Sequence, residues 1–298
     1  MRRFLKRVYA LGCIFAAASV LPASASISVV DDAGRTVTLT APARRIVSLA
    51  PHATELVYAS GAGAAVVGVS EYSTYPPEAR KLPSVGGVSA LDLERVLALK
   101  PDLVVVWGSG NSATQIARLR QIGIPVFESE PRSFEMVATS LERLGKLGGT
   151  EPVAREAASA FRERLTRLEK TYKHRPAVSV FYQIWRSPLM TLNGEHLVSS
   201  GLQLCGGRNI FADLPQLAPT VSTEAVLKAD PDAIIASSGA KDDALHPWRR
   251  FEGMRAVKRG NLYTVDGELM NRAAPRVLDG VEALCRVLER ARGVKERP

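Results

Sequence analysis

A segment that occurs twice constrains this chain more than any other feature. Residues 93–106, LERVLALKPDLVVV, align without gaps to residues 223–236, TEAVLKADPDAIIA. Glu94 matches Glu224, Val96-Leu97 matches Val226-Leu227, and Pro101-Asp102 matches Pro231-Asp232. Each copy reads as a short helix, a turn and a buried strand, so the chain is expected to hold two lobes of related α/β fold. The competing reading is chance, because helix–Pro-Asp–strand turns recur in α/β proteins through turn chemistry alone. Two similar lobes facing each other leave a cleft, the usual place for a small ligand.

The stretch between the copies supports this division. Residues 151–173 are charge-rich and contain no glycine, with Pro152 where a missing N–H is harmless and Pro176 just past the end. They are predicted to form one long helix acting as a rigid connector. Short apolar runs alternate with helical stretches on either side. Before the connector these are Ile46–Leu49, Val66–Val69, Leu103–Val106 and Pro125–Phe127, preceded by a hairpin around Asp31-Asp32-Ala33-Gly34-Arg35. After it come Val178–Tyr182, Leu197–Leu204, Ala233–Ala236 and an amphipathic helix near Pro275–Arg292. The expected division is a first lobe over 26–148, a connecting helix over 149–174 and a second lobe over 175–298.

Residues 1–25 are read as a secretory signal peptide. Arg2, Arg3, Lys6 and Arg7 form a basic start, Val8–Leu21 an apolar run, and Ala23-Ser24-Ala25 a small-residue cleavage pattern. A membrane anchor is the alternative, but the run is shorter than the roughly 20 residues a spanning helix needs. Acylation at Cys13 is the minor reading, since Ala10-Leu11-Gly12 lacks the aliphatic residue usual three places before the cysteine and the apolar run continues beyond it. Export places the mature protein in the periplasm.

Loss of the signal removes four positive charges and takes the formal net charge from +9 to +5. Basic residues are scattered and few aromatics accompany them, so a nucleic-acid groove is not indicated. Cys205 and Cys285 remain as an even pair in an oxidising compartment, and a single disulfide is expected, with two separate buried thiols as the alternative. His52, His174, His196 and His246 have no ligand spacing, so no metal site is expected; surface or capping roles are anticipated. His52, on the turn after Ser48-Leu49-Ala50-Pro51, is the one that could face a cleft. Gly108-Ser109-Gly110-Asn111-Ser112-Ala113, with Glu128 after the next strand, is a passable dinucleotide fingerprint and the only foothold for an exported dinucleotide-dependent enzyme. An ordinary strand-to-helix turn explains its glycines equally well. No nucleophile elbow, H-E-x-x-H or paired-cysteine motif is present.

Four stretches, RIVSLAPHATELVYASGAG, VGVSEYSTYPPEARKLPSVGG, LERVLALKPDLVVVW and LCGGRNIFADL, resemble the periplasmic cobalamin-binding proteins of ABC importers. These belong to the wider helical-backbone (class III) family, whose members also serve haem and ferric siderophores. The resemblance implies two Rossmann-like α/β lobes joined by a single long backbone helix, small hinge motion, and a ligand cleft between the lobes. It implies Tyr72, Trp107, Glu268 and Arg272 in the ligand set. Val88 and Ala218 stand where relatives have tryptophans, and Trp185 is the aromatic that could compensate. Flat apolar walls with a polar edge suit a corrin ring; core packing is the alternative for Trp107 and Trp185. Glu94 and Glu224 match the family's acidic permease-docking residues, while favourable placement at helix N-termini would account for them without a partner.

The reading is therefore a non-enzymatic binding protein, monomeric when free and without a cofactor. It captures a corrinoid and delivers it to an ABC-importer permease dimer. Haem or a ferric siderophore is the alternative ligand.

Overall fold

A computed structural model describes residues 26–88, 90–238 and 243–293 of the protein. The expected signal segment, with Cys13, lies outside the described residues. The chain enters through an antiparallel ribbon, β1 (Ile27–Val30) and β2 (Thr36–Leu39). Its turn is closed by Asp31, whose Oδ1 accepts the backbone N–H groups of Ala33 and Arg35, and by Gly34 at φ 76°.

The first lobe follows as β3 (Ile46–Ser48), α1 (Pro51–Val57), β4 (Val66–Val69), α2 (Leu93–Ala98), β5 (Leu103–Trp107), α3 (Ala113–Gln121), β6 (Val126–Ser129) and α4 (Phe134–Gly148). Its four strands are parallel and ordered β4-β3-β5-β6. The connector is α5 (Glu151–Tyr172). The second lobe contains β7 (Val178–Gln183), α6 (Leu197–Leu204), β8 (Gly207–Asn209), α7 (Thr223–Ala229), β9 (Ala233–Ser238), α8 (Arg255–Lys258), β10 (Leu262–Asp266), α9 (Gly267–Met270) and α10 (Val277–Gly293). Its strands are also parallel, ordered β10-β9-β7-β8.

Counted within each lobe, both sheets have the order second, first, third, fourth strand. The repeat in the sequence is the helix and third strand of each, α2–β5 and α7–β9. Even the caps correspond. Asp92 accepts the Arg95 N–H before α2, and Ser222 accepts the Ala225 N–H before α7. The aspartate of each Pro-Asp turn holds the lobe's first strand: Asp102 accepts the N–H groups of Arg44 and Arg45, and Asp232 that of Ser179. Central strands such as Leu103–Trp107 are continuously apolar because helices cover both faces of a parallel sheet.

Helix α5 buries a single stripe, Ala154, Ala158, Phe161 and Leu168, at helical spacing. Its close approach to α4 depends on small residues, since a Cβ at Gly145 would stand 2.1 Å from that of Ala154. Two neighbouring arginines fasten α5 in opposite directions. Arg162 pairs with Glu135 and Glu142 of α4, and Arg164 with Asp279 and Glu282 of α10. In the second lobe Cys205, capping α6, is joined to Cys285 of α10.

Candidate functional site

In an open parallel sheet a crevice forms at the carboxyl ends of the strands, where the order reverses between the first and third. Here that place is the end of β3 and β5 in one lobe and of β7 and β9 in the other. A cleft lies between the lobes. Its walls carry His52, Trp107, Ser109 and Glu130 from the first lobe, and His196, Leu217, Met270 and Asn271 from the second.

Trp107, the last residue of β5, is set by its own turn. Its indole lies over Gly110, where a Cβ would come within 1.9 Å of the ring. The buried Asn111 accepts the Trp107 N–H at 2.7 Å and donates to the carbonyls of Leu49 and Val88. The glycine pattern of this turn thus makes room for an aromatic side chain. The Ser109 N–H, which a dinucleotide phosphate would need, donates instead to the Glu130 carboxylate at 2.8 Å. A carboxylate in that position repels a phosphate, so the fingerprint reading has no structural support.

His52 follows in α1 and meets the Trp107 ring edge-to-face at 5.7 Å. Burial drives its pKa down to about 4, so it is neutral, and its buried Nε2 has no hydrogen-bond partner among the described residues. Across the cleft, His196 caps α6: its Nδ1 accepts the Val198 N–H, which places the ring proton on Nε2. Burial also lowers this imidazole to about 4. The sequence suggested a capping role for such histidines but not that two of the four share one cleft. No group of three or more His, Cys, Asp or Glu side chains able to hold a metal occurs among the described residues.

A second set of groups bridges the lobes. Arg272, after α9, donates to the Glu55 carboxylate at 3.1 Å, to the Tyr72 carbonyl at 3.1 Å and to the Thr74 hydroxyl, and pairs with Glu268 at 3.4 Å. Tyr72 is exposed and occupies the left-handed region, at φ 62°, uncommon for a tyrosine. Arg276 donates two bonds to the same Glu55 carboxylate and lies over the Tyr75 ring at 3.7 Å. Glu55, Thr74 and Arg276 were not singled out from sequence. A lone carboxylate inside an apolar helix, ATELV, is the signal that could have pointed to the first.

The structure therefore brings Trp107 and His52 together on one wall, and Tyr72, Glu268 and Arg272 together across the lobe boundary. Trp185 joins neither set. It is 62% exposed just past β7, its Nε1–H donating to the Ser187 carbonyl. Ala218 is exposed and Val88 partly buried, and the neighbouring Leu217 supplies the apolar contact in the cleft wall. Glu94 and Glu224 lie in the first turns of α2 and α7, both exposed, at equivalent points of the two lobes.

Residues 46–269 match the periplasmic binding protein family. A vitamin B12-binding protein of Vibrio cholerae is 39% identical over 249 residues, 83% of this chain and 90% of the relative. The crystal structure of the periplasmic vitamin B12 binding protein of Vibrio cholerae superposes with a TM-score of 0.79 at 38% identity, covering 85% of this chain and 99% of that one. A periplasmic heme binding protein from Pseudomonas aeruginosa superposes with a TM-score of 0.71 at 26% identity, covering 86% and 95%.

Proposed function

The chain belongs to the periplasmic binding protein family, and from that premise we propose that it captures cobalamin or a related corrinoid in the periplasm and passes it to an ABC-importer permease. The observation that carries this reading is the 39% identity to a vitamin B12-binding protein over 83% of this chain and 90% of that one. The lower identity of the heme-binding relative, 26%, favours a corrinoid over haem. Capture is binding without chemical change, and the signal peptide at residues 1–25 is the route to the periplasm.

The site chemistry agrees with the reading. Trp107 and His52 form an aromatic corner against which a flat macrocycle can stack. Arg272 and Glu268 place a donor and an acceptor where the amide rim of a corrin would need both. Two neutral imidazoles facing the cleft add no charge to repel or trap a bulky, largely neutral ligand. Glu94 and Glu224 present one acid per lobe to a two-fold permease, where a charge desolvated at the interface is worth more than one left in water.

Calorimetry of the mature protein with cyanocobalamin, and with haemin in parallel, tests the ligand. Saturable cobalamin binding that weakens by about tenfold or more in Trp107→Ala and Tyr72→Ala is expected, given how much large aromatics contribute in pockets. Binding of haemin alone would replace the ligand, and unchanged cobalamin affinity in both variants would remove the site. The Glu94→Ala/Glu224→Ala double variant is expected to keep cobalamin affinity and lose uptake into vesicles carrying the permease. Normal uptake would leave these acids only their place at helix N-termini.

A further inference from the structure

We infer that Glu55 is the positioning residue of the ligand site: its buried carboxylate, in the first lobe, sets both Arg272 of the second lobe and, through Arg272, the backbone of Tyr72. This rests on the corrinoid reading above and assigns a role to a residue that need not touch the ligand. The Glu55 side chain is 2% exposed. Its two oxygens accept from Arg272 at 3.1 Å and from Arg276 at 2.9 and 2.7 Å. A buried carboxylate costs much to desolvate unless it is paired and hydrogen-bonded. Both partners come from the other lobe, 217 and 221 residues along the chain. The pairing therefore cannot form within one lobe.

The guanidinium of Arg272 has a planar fork of donors, and Glu55 decides how that fork is turned. With Nη1 on Glu55 and on Thr74, Nη2 falls on the Tyr72 carbonyl at 3.1 Å. A non-glycine residue in the left-handed region persists where its surroundings hold it there. Arg272 shares the Tyr72 carbonyl with the Thr74 N–H, at 2.9 Å, and is the group from the other lobe that holds this turn with Tyr72 at φ 62°. Arg276, stacked on Tyr75 and doubly bonded to the same carboxylate, keeps Glu55 from following Arg272 when a ligand pulls on it.

The test is a double-mutant cycle on the mature protein, with cyanocobalamin as probe, by calorimetry and stopped-flow release. Glu55→Gln is expected to weaken affinity about tenfold, mainly through faster release, and Arg272→Gln by at least as much. The double variant should bind no worse than Arg272→Gln alone, because Glu55 acts through that residue. Losses that multiply, or a Glu55→Gln protein with a lowered melting temperature and unchanged affinity, would overturn the inference and leave Glu55 a purely structural tie. Should Glu55→Gln fail to fold, Glu55→Asp keeps the charge opposite the two arginines and withdraws it by one methylene. An intermediate loss of affinity is then expected, and full affinity overturns the inference. Absence of cobalamin binding by the unaltered protein would instead sink the ligand reading and this inference with it.

Discussion

The two lobes have one topology and two ways of securing it. Both run second, first, third, fourth strand across the sheet, both cap the helix before the third strand with a side-chain oxygen, and both hold the first strand with the aspartate of a Pro-Asp turn. Reinforcement differs. The first lobe is stitched by the entry ribbon: Asp31 accepts the N–H of Glu128 in β6 and Asp32 that of Glu130 just after it, and Arg143 of α4 reaches Asp32 and the Val30 carbonyl. The second lobe ties its last helix covalently through Cys205–Cys285 and surrounds Asp232 with the Ser179 hydroxyl, Arg255 and Arg259. Turn chemistry and strand pattern thus fix the topology, and what braces it is free to diverge.

Removing the disulfide is the strongest way to break this comparison. Cys205→Ala with Cys285→Ala is expected to cost about 4 kcal/mol, since the bond closes a separation of 80 residues. Hydrogen exchange should show the loss in second-lobe peptides while first-lobe protection holds; equal loss in both would mean the lobes unfold as one unit.

Acid should act on both lobes alike. His52 and His196, one in each, have pKa values lowered by burial to about 4, against 6.5 when unfolded. The unfolded chain takes up these protons first, so stability is full above about pH 6.5 and falls as the pH drops toward 4, by up to about 3 kcal/mol for each group. Denaturant midpoints of His52→Gln and His196→Asn across that window should each lose about half of the pH slope. A slope that survives both changes would assign it to other groups.

The smallest expected contrast is between the two turn aspartates. Burial works against ionisation of Asp232, yet the Ser179 hydrogen bonds and the charges of Arg255 and Arg259 hold its carboxyl below the usual range. Asp232→Asn is expected to cost about 2 kcal/mol and Asp102→Asn, with backbone partners only, about 1 kcal/mol. The added stability of Asp232 should be present above the unfolded carboxylate range and disappear on acidification below it. Equal costs, read from urea titrations, would show that the arginines add nothing.

Most of the fold was legible because its signals are local. Pro152, the absence of glycine and Pro176 delimit α5, and the repeat marks the third strand of each lobe. The site was legible where a residue ends a strand or starts the next turn, as Trp107 and His52 do. It was not legible at Glu55, whose partners lie more than two hundred residues away and leave no spacing to read. Nor could sequence tell what Gly110 is for: a glycine under an indole and a glycine under a phosphate are written alike, and only the Glu130 carboxylate on the Ser109 N–H separates them.

The absence of glycine from α5, and of proline beyond its first turn, has an elastic consequence. A strut of 22 residues, about 33 Å long at the usual rise, has no point at which to fold. Fastened to one lobe by Arg162 and to the other by Arg164, it can yield only by bending along its whole length. Such a spring resists opening from the first degree, so the walls that the two lobes bring to the cleft are held in register with each other. The same stiffness means that any wider opening of the cleft stores elastic energy along the whole of α5.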